Sequence, residues 1–377
     1  MRVVHVCPFV GEQMGGSERY VTNLSKTQGQ KHDVHIFTTT RHQSRVGTSR
    51  FNGITLHRFH SPIVVWNINP IAAMLRSLVK MNADIYHIHS YLYTTSNQAI
   101  LAKALNRKKS LLHIHGGIGT PPYNSPLVRR IVKLFYDRFP GRYTVKLSDA
   151  LASVSMFDIE QISAAFDVPI EIVRHVPNAV DTNAFFPGRR TPDNETPKLL
   201  YVGDLELWKG IGSLLGWLKK PSGWQGIEFN MQFVGQGSFL PQLAELQEDF
   251  KKNGGPIQIE ILGELNHEEI PTIMQQADAF VFPSYWEGMP TVVLEAMATG
   301  LPVISTSVGD VPSVIEDNET GLLIERSFDS FQEAVRIVLD SDDVINRIRV
   351  NSRNLVEEKF SLARVSGLVE GIYRDLI

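Results

Sequence analysis

Cysteine is almost absent from this chain, with Cys7 as the single cysteine in 377 residues. One cysteine cannot form an intrachain disulfide, so the sequence excludes a disulfide-stabilised scaffold and is typical of a reducing compartment. Because Cys7 ends an apolar run of strand length, we interpret it as a small buried hydrophobic residue.

Long hydrophobic runs and a strong net charge are also missing. No apolar stretch approaches the roughly 20 residues that a membrane-spanning helix needs, and the N-terminal apolar run is too short for a signal peptide. A net charge of −3 provides no global field for nucleic acid or an acidic surface. We therefore expect a cytoplasmic protein that meets a membrane, if at all, only at its surface.

What the chain does contain is an ordinary globular composition, 43% hydrophobic and 20% charged, at a length that suggests two domains. Strand-length β-branched runs alternate with helical periodicity through both halves, which is the pattern of parallel α/β layers. The predicted strands are 3–8, 34–38, 54–59, 85–89, 110–115, 151–155 and 171–176, then 199–202, 228–234, 257–262, 279–282 and 303–305; the predicted helices include 17–28, 71–81 and 128–139.

Residues 183–198 are rich in proline, asparagine, glycine and charge, a composition typical of an interdomain linker. We predict one Rossmann-like domain over 1–182 and a second over 199–358, because each half opens with a strand, a glycine-containing loop and a helix. Ligands of open parallel sheets bind beyond the carboxyl ends of the strands, so two facing domains predict one site in the cleft between them. The C-terminal segment, residues 360–377, is amphipathic.

The most informative stretch is 283–302, PSYWEGMPTVVLEAMATGLP. It places Glu287 and Gly288 in a strand-to-helix loop, Pro290 in the first helical turn, and Glu295 a little over one turn further on. Such a loop favours an anion, because unpaired backbone N–H groups and the helix dipole both point towards it. Glu287 would stand at the rim and Glu295 could reach a hydroxyl-bearing group of the same ligand. Carboxylates near the start of a helix also have a purely structural explanation, in which their negative charge stabilises the positive end of the helix dipole.

The stretch resembles the signature of family 4 retaining glycosyltransferases, whose mark is two glutamates separated by seven residues, as Glu287 and Glu295 are. The resemblance implies the α/β GT-B fold: two Rossmann-like domains that face each other across a cleft, with a C-terminal helix, here 359–377, crossing back onto the N-terminal domain. It also implies transfer, with retention, of a sugar from a UDP- or GDP-linked donor to a hydroxyl of a glycan, glycolipid or lipid-linked acceptor.

The resemblance further assigns the site residues. Lys209, in YVGDLELWKG, is similar to the lysine that binds the donor diphosphate, Glu295 would hold the ribose, and Glu287 would lie against the sugar. The donor-binding set is Gly16, Lys209, Leu265, Glu287, Gly288, Met289, Pro290, Thr291 and Glu295, and the catalytic set is His115, Lys209 and Glu287. If cations and amides neutralise the phosphates, no metal is needed, and no cofactor is expected beside the nucleotide-sugar substrate.

Histidines end two neighbouring apolar runs, in DIYHIHS and SLLHIHGG. His113 and His115 share a face by their spacing of two. His115, where the strand opens into a glycine loop, matches the histidine that family members place beside the transferred sugar; for His113 we favour a structural role. His87 and His89 are weaker candidates for the acceptor side. Since no HExxH or Cys–His set is present, no metal site is predicted.

Two glycine loops have simple structural interpretations. The GGSE sequence at 15–18 and the GQGS sequence at 235–238 each fit a strand-to-helix turn, with Ser17 and Ser238 as N-cap residues. The resemblance adds that Gly16 approaches the donor phosphate or the acceptor.

The sequence departs from the family at Asp204, where many members have an arginine that contacts the phosphates. A carboxylate there would repel a diphosphate unless it points away or holds Lys209. Arg41, Arg45 and Arg50 are candidate replacement cations; otherwise binding is weaker, or the chain is a non-catalytic nucleotide-sugar-binding relative. A GT-B nucleotide-sugar 2-epimerase is a further alternative, although such an enzyme is expected to have more acid–base residues in the cleft.

Residues 127–146 contain six cations and one acid, Asp137. Their apolar residues fit one helix face, and we interpret the segment as an amphipathic helix that faces the core. The alternative is an interfacial helix attracted to anionic lipid, which would give the protein a peripheral membrane contact near a lipid-linked acceptor.

Overall fold

The structure is a computed structural model, and it describes residues 1–10, 15–51, 53–65, 69–116, 118, 127–188 and 196–377. The chain divides into two compact units: Met1–Asn178 together with Leu362–Ile377, and Ala179–Ser361. Of the segment predicted as a linker, residues 189–195 lie outside the described residues, and the rest belongs to the second unit.

The first unit is a layered α/β unit. Its strands are β1 (Arg2–Phe9), β2 (Asp33–Thr40), β3 (Gly47–Phe51), β4 (Ile54–His60), β5 (Ile63–Val65), β6 (Asn69–Ile71), β7 (Ile85–His89), β8 (Lys109–Ile114), β9 (Ala150–Ser153) and β10 (Val173–His175). Its helices are α1 (Gly16–Gln28), α2 (Leu75–Met81), α3 (Thr94–Asn106), α4 (Leu127–Tyr136), α5 (Arg142–Lys146), α6 (Met156–Phe166) and the C-terminal α14 (Leu362–Leu376), which contacts α1 and β8.

The main sheet of this unit has the order β10-β9-β8-β7-β1-β2-β4-β3 among the described residues, and its pairings are parallel except for β3 with β4. Val4, Ile88 and Leu112 lie in the hydrophobic core on one face of the sheet. Because side chains alternate along a strand, the residues between them point to the opposite face. The strand order reverses between β1 and β7, which is where ligands of such sheets bind.

The second unit contains β11 (Lys198–Val202), β12 (Phe229–Val234), β13 (Ile257–Gly263), β14 (Ala279–Phe282), β15 (Val303–Thr306) and β16 (Leu322–Ile324). Its helices are α7 (Ile211–Leu218), α8 (Leu240–Asn253), α9 (Ile270–Gln276), α10 (Thr291–Ala298), α11 (Val311–Val314), α12 (Phe328–Asp340) and α13 (Asp342–Leu355). The described strands pair in parallel in the order β13-β12-β11-β14-β15-β16, the doubly wound Rossmann order. The order reverses between β11 and β14, and the loops after these two strands contain Lys209 and Glu287.

Several predicted boundaries are wrong for local reasons. The helix predicted at 71–81 begins at Leu75, because Asn69–Ile71 pairs with β5 as a short hairpin strand. The strand predicted at 171–176 begins at Val173, after a 3-10 turn. The edge strand β3 was not predicted, since its five residues are all exposed and provide no apolar face.

The core-facing interpretation of residues 127–146 is wrong for α4. None of its ten residues is buried, and Leu127 and Leu134 are each 70% exposed. The helix continues into a single π-turn at Asp137–Gly141 that includes Pro140, and only then do Thr144 and Val145 reach the interior. Within the described chain, no helix has the length and hydropathy needed to cross a bilayer.

Candidate active site

Two loops at the switch point of the second unit are fastened to each other by main-chain contacts. After β11 the chain forms a 3-10 turn, Leu207–Lys209, and the Trp208 carbonyl accepts hydrogen bonds from the Tyr285 amide (2.8 Å) and the Ser284 hydroxyl (3.0 Å). Glycine is required at 210, where φ is +76° and a Cβ would lie 1.8 Å from the Pro283 carbonyl oxygen. This close approach places Lys209 next to the loop that contains Glu287.

Lys209 and Glu287 form an ion pair in this loop. Lys209 Nζ lies 2.7 Å from Glu287 Oε1, and the Ser284 hydroxyl donates to the same oxygen at 2.8 Å. The two paired side chains are 22% and 12% exposed. A lysine held beside a glycine-containing loop can offset the charge of a departing diphosphate.

Asp204 does not pair with Lys209. Such a pair was one of the two arrangements expected to make a carboxylate at this position compatible with a bound diphosphate. Asp204 is exposed, and its carboxylate makes no hydrogen bond or ion pair with the described side chains. The Tyr201 hydroxyl donates a hydrogen bond to the main-chain carbonyl of Asp204 at 2.8 Å. The other predicted way, that the carboxylate points away from the phosphates, stays a prediction.

Glu295 lies on α10, where it was expected, and is only 8% exposed. His267 Nε2 lies 2.9 Å from its Oε1, and the His267 ring packs against Phe185 with centroids 5.3 Å apart. His267 was not predicted as a site residue, because nothing in the ELNHEE segment indicates a partner 28 residues away. A buried carboxylate held in this way is suited to accept hydrogen bonds from ligand hydroxyls.

The loop before α10 has a fixed main-chain path. Pro290 is the N-cap residue rather than a member of the first turn, and Met289 is buried in the core. Gly309, with φ of +51°, supports the loop from behind: a Cβ there would lie 2.2 Å from the Glu287 carbonyl oxygen, and the Asp310 amide donates to the Gly288 carbonyl. The first amides of α10, beginning at Thr291, have no partner within the helix, so this end provides donors for an anion.

The structure also shows the contacts of two other predicted positions in this unit, Leu265 and Ser238. Leu265, after β13, is half-buried and packs against the core. Ser238 is not an N-cap: its amide and hydroxyl donate to the Glu206 carboxylate at 2.9 and 2.7 Å, and α8 begins after Phe239. The GQGS loop is therefore fixed by Glu206.

In the first unit, Gly16 is the first residue of α1 and is half-buried. Gly15, not Ser17, is the N-cap residue, and the Ser17 hydroxyl donates instead to the Glu18 carboxylate at 3.0 Å. The prediction of Ser17 as the N-cap is thus wrong, because α1 begins at Gly16 and Ser17 already lies inside the helix. Gly117, beside His115, lies outside the described residues.

Five histidines meet on the face of the first sheet that α1 and α14 cover. His113 and His115 share this face, as their spacing predicts, and His113 Nε2 lies 3.0 Å from the Val176 carbonyl oxygen. His87 Nδ1 lies 2.6 Å from the hydroxyl of Tyr373 on α14. The cluster consists of His5, His87, His89, His113 and His115.

Burial keeps these rings uncharged. It lowers the pKa of His5 and of His113 to about 4, and it holds the pKa of His87, His89 and His115 well below the usual value of 6.5. His87 and His89 are 0% and 1% exposed. The expectation that these two line the acceptor side is therefore wrong, since both lie inside the sheet's covered face.

Two triplets in the cluster, His5 with His87 and His89, and His89 with His113 and His115, bring ring nitrogens within 4.8 Å of one another. A zinc ion needs such nitrogens to converge at about 2.0–2.1 Å from one point. In each triplet two ring nitrogens instead lie at hydrogen-bond distance, His5 Nδ1 at 2.9 Å from His89 Nε2 and His89 Nδ1 at 3.0 Å from His115 Nε2. The arrangement fits mutual hydrogen bonding better than a metal site, and the expected absence of metal stays a prediction.

Comparison with known proteins identifies the class. The family "Glycosyltransferase Family 4" matches residues 14–184, and "Glycosyl transferases group 1" matches residues 184–355. The two matches together span residues 14–355, from just before α1 to the end of α13. The chain belongs to the family 4, group 1 glycosyltransferases, and it has their GT-B fold.

Particular relatives agree with this class. The chain is 26% identical over 329 residues to the Escherichia coli UDP-Gal:alpha-D-GlcNAc-diphosphoundecaprenol alpha-1,3-galactosyltransferase, covering 83% of this chain and 81% of the relative. Sucrose-phosphate synthase from Thermosynechococcus elongatus has a similar fold, with a TM-score of 0.78 and 19% identity over 100% of this chain and 98% of its own. Anabaena HepE, solved in complex with UDP, has a TM-score of 0.77 and 15% identity over 100% of both chains.

Proposed function

We propose that this glycosyltransferase moves a hexosyl group, with retention, from a nucleoside-diphosphate-sugar to an acceptor hydroxyl. The observation that carries the proposal is the arrangement of Lys209, Glu287 and the N-terminus of α10 around one loop of the second unit. Lys209 and the amides from Gly288 to Thr291 bind the diphosphate, and they stabilise its charge as it leaves.

The remaining donor contacts follow from the same loop. Glu295, buried and held by His267, binds the ribose hydroxyls, and Glu287 lies against the donor sugar. The main chain near Leu265 contacts the base. His115 and Gly16, in the first unit, contact the transferred sugar and the phosphate or acceptor. No metal or further cofactor is needed, because Lys209 and the amides supply the positive charge.

UDP is the first nucleotide to test, since the E. coli relative is named for UDP-Gal and HepE was solved with UDP. Calorimetric titration of UDP, GDP, ADP and dTDP without metal would measure the affinity of each. We expect one nucleotide to bind, and Glu295→Ala to weaken it about 10- to 100-fold, as expected for lost hydrogen bonds to a charged group. Glu248→Ala, at a surface pair with Lys251, is the matched control.

The same titration separates the alternatives. If no nucleotide binds, the donor site is not functional and the catalytic proposal fails. If a nucleotide binds but its sugars are neither transferred nor slowly hydrolysed, the chain is a binding relative. Conversion of the donor sugar without any acceptor would instead identify a 2-epimerase.

We also propose that α4 contacts an anionic membrane surface near a lipid-linked acceptor. Leu134 and Phe135 are 70% and 62% exposed, and none of the ten residues of the helix is buried. Arg130 on α4 and Arg138 in the π-turn that follows are also exposed. An apolar, cationic helix face matches the boundary between acyl chains and anionic headgroups. A polyprenol-linked acceptor, as in the name of the E. coli relative, would be presented at such a surface.

A further inference from the structure

A continuous line of hydrogen bonds crosses the covered face of the first sheet, from the end of α1 to the end of β8. Gln28 Oε1 lies 2.8 Å from His5 Nε2. His5 Nδ1 lies 2.9 Å from His89 Nε2, and His89 Nδ1 lies 3.0 Å from His115 Nε2. We call these four residues the histidine relay.

The amide oxygen of Gln28 sets the direction of every bond in the relay. A neutral imidazole has one N–H donor and one bare acceptor nitrogen. Because the Gln28 oxygen carries no proton, His5 Nε2 must donate to it, and His5 Nδ1 is then an acceptor. His89 consequently donates from Nε2 and accepts at Nδ1, and His115 donates from Nε2. This leaves Nδ1 of His115 without a proton.

The opposite direction would require the Gln28 side chain to be turned over, with its amide nitrogen rather than its oxygen facing His5. It would place an N–H group on His115 Nδ1, a buried atom without a hydrogen-bond partner among the described residues. The observed direction instead leaves the Gln28 amide nitrogen buried without such a partner. Each direction therefore strands one buried donor, and the orientation of Gln28 decides between them.

We infer that Gln28, His5 and His89 are positioning residues that fix His115 in the tautomer with its proton on Nε2, so that its Nδ1 is a bare hydrogen-bond acceptor. The use of this acceptor by a donor hydroxyl rests on the proposed function, and it requires that donor binding uncover the buried atom. The tautomer rests on the relay alone and can be measured in the free protein.

The test is a long-range ¹H–¹⁵N correlation spectrum of the full chain labelled with ¹⁵N-histidine, at pH 7.5. This spectrum distinguishes a protonated from a bare ring nitrogen for each assigned histidine. We expect Nε2 to be protonated and Nδ1 bare in His5, His89 and His115. A proton on Nδ1 of His115 in the wild-type protein would overturn the inference.

Two variants test whether Gln28 sets the direction. Gln28→Met removes the acceptor at similar volume, and we expect the signals of His115 to become averaged or doubled as both directions are populated. Gln98→Met makes the same substitution on α3, where the Gln98 amide group hydrogen-bonds to the main chain of Ala72, Met74 and Leu75, and it should leave the three tautomers unchanged. The His35–His57 pair, 2.9 Å apart elsewhere in the unit, is an internal reference.

The outcomes separate this inference from the proposed function. If Gln28→Met leaves His115 unchanged, Gln28 does not direct the relay, and the inference fails while nucleotide binding is untouched. If the tautomers are as expected but no nucleotide binds, the proposed function fails and the relay stands as a structural device. Should Gln28→Met not fold, the wild-type spectrum alone still decides the tautomer.

Discussion

Lys209 Nζ and Glu287 Oε1 lie 2.7 Å apart, so one ion pair joins two loops that are 78 residues apart in the sequence. The Ser284 hydroxyl contacts the same carboxylate oxygen. Glu287 therefore holds Lys209 in place before any ligand is bound. An incoming diphosphate must share or replace this partner, which gives the two residues different effects on binding and on transfer.

Substitution of each partner should separate these effects. Lys209→Met is expected to weaken UDP binding about 10- to 100-fold, because it removes a charged contact with the phosphates. Glu287→Gln should leave UDP affinity equal or higher, since Lys209 is released, while transfer from the UDP-sugar falls. Calorimetry and a transfer assay measure the two quantities.

Lys251→Met is the matched control, since Lys251 is 62% exposed and pairs only with Glu248 in the described structure. Wild-type UDP affinity in Lys209→Met would show that this lysine does not bind the phosphates.

Asp204 offers a gain-of-function test. Its carboxylate is exposed and makes no hydrogen bond or ion pair with the described side chains, so its replacement should not destabilise the fold. Asp204→Arg is expected to increase UDP affinity at least several-fold, because it replaces a repulsive charge near the diphosphate by an attractive one. Asp204→Asn controls for loss of the negative charge alone. Unchanged affinity in both variants would mean that residue 204 points away from the phosphates.

The sequence predicted five of the six described strands of the second unit, all except β16, because buried parallel strands are short continuous apolar runs. The strand at Ala279–Phe282 was predicted with its observed ends, and Glu295 was predicted on the helix that follows. Both predictions depend only on local spacing. Only part of the histidine cluster could be predicted. The spacing of His113 and His115 predicts that they share a face, but it does not predict which rings on neighbouring strands they contact.

The contacts that complete the site were not predictable in this way. His267 meets Glu295 across 28 residues, and Gln28 meets His5 across 23, because sheet order and helix packing bring them together. Nothing in the intervening sequence marks these pairs. Helix α4 shows the converse: periodicity predicted its apolar face, but not that the described fold would leave this face uncovered.

The buried histidines predict that the first unit loses stability in mild acid. The folded-state pKa of His5 and of His113 is lowered to about 4, whereas the unfolded value is about 6.5. The unfolded chain therefore binds more protons between these values. The stabilisation is complete above pH 6.5 and is lost as the pH falls towards 4, by up to about 1.4 kcal/mol per pH unit for each histidine.

Hydrogen exchange in dilute urea between pH 4.5 and 7.5, corrected for intrinsic rates, measures this effect for each unit separately. Amides of β1 and β8 should lose protection as the pH falls, more steeply than amides of β11 and β14. His113→Gln should reduce the slope for the first unit, whereas His42→Gln, at an exposed position, should not. Equal slopes in both units would contradict the role assigned to the cluster.

Removal of metal is expected to leave nucleotide binding unchanged, because Lys209 and the amides of the 288–291 loop supply the positive charge. UDP titrations of protein dialysed against EDTA, before and after addition of Mg²⁺ or Mn²⁺, measure this directly. Tenfold tighter binding with either ion would show that a divalent cation helps to neutralise the diphosphate. Stoichiometric Zn²⁺ binding by the EDTA-treated protein that is lost in His89→Asn would show that the histidine cluster holds a metal.

The exposed helix α4 predicts binding to anionic vesicles. We expect the protein to sediment with phosphatidylglycerol-containing vesicles but not with neutral phosphatidylcholine vesicles, and to be released by salt, which screens surface charges. Arg130→Ala with Arg138→Ala should lower the partition coefficient about 30-fold, since each cation near an anionic surface contributes about 1 kcal/mol.

Apolar contacts should matter independently of charge. Leu134→Ser with Phe135→Ser removes the side chains that would enter the headgroup boundary, so it should reduce binding at every salt concentration. Val350→Ser is the control, because Val350 is also exposed, at 59%, but lies on α13 in the second unit. Equal binding by the α4 variants and the control would place the membrane contact elsewhere on the protein. Failure of the wild-type protein to bind anionic vesicles would remove the proposed membrane contact while leaving the donor site intact.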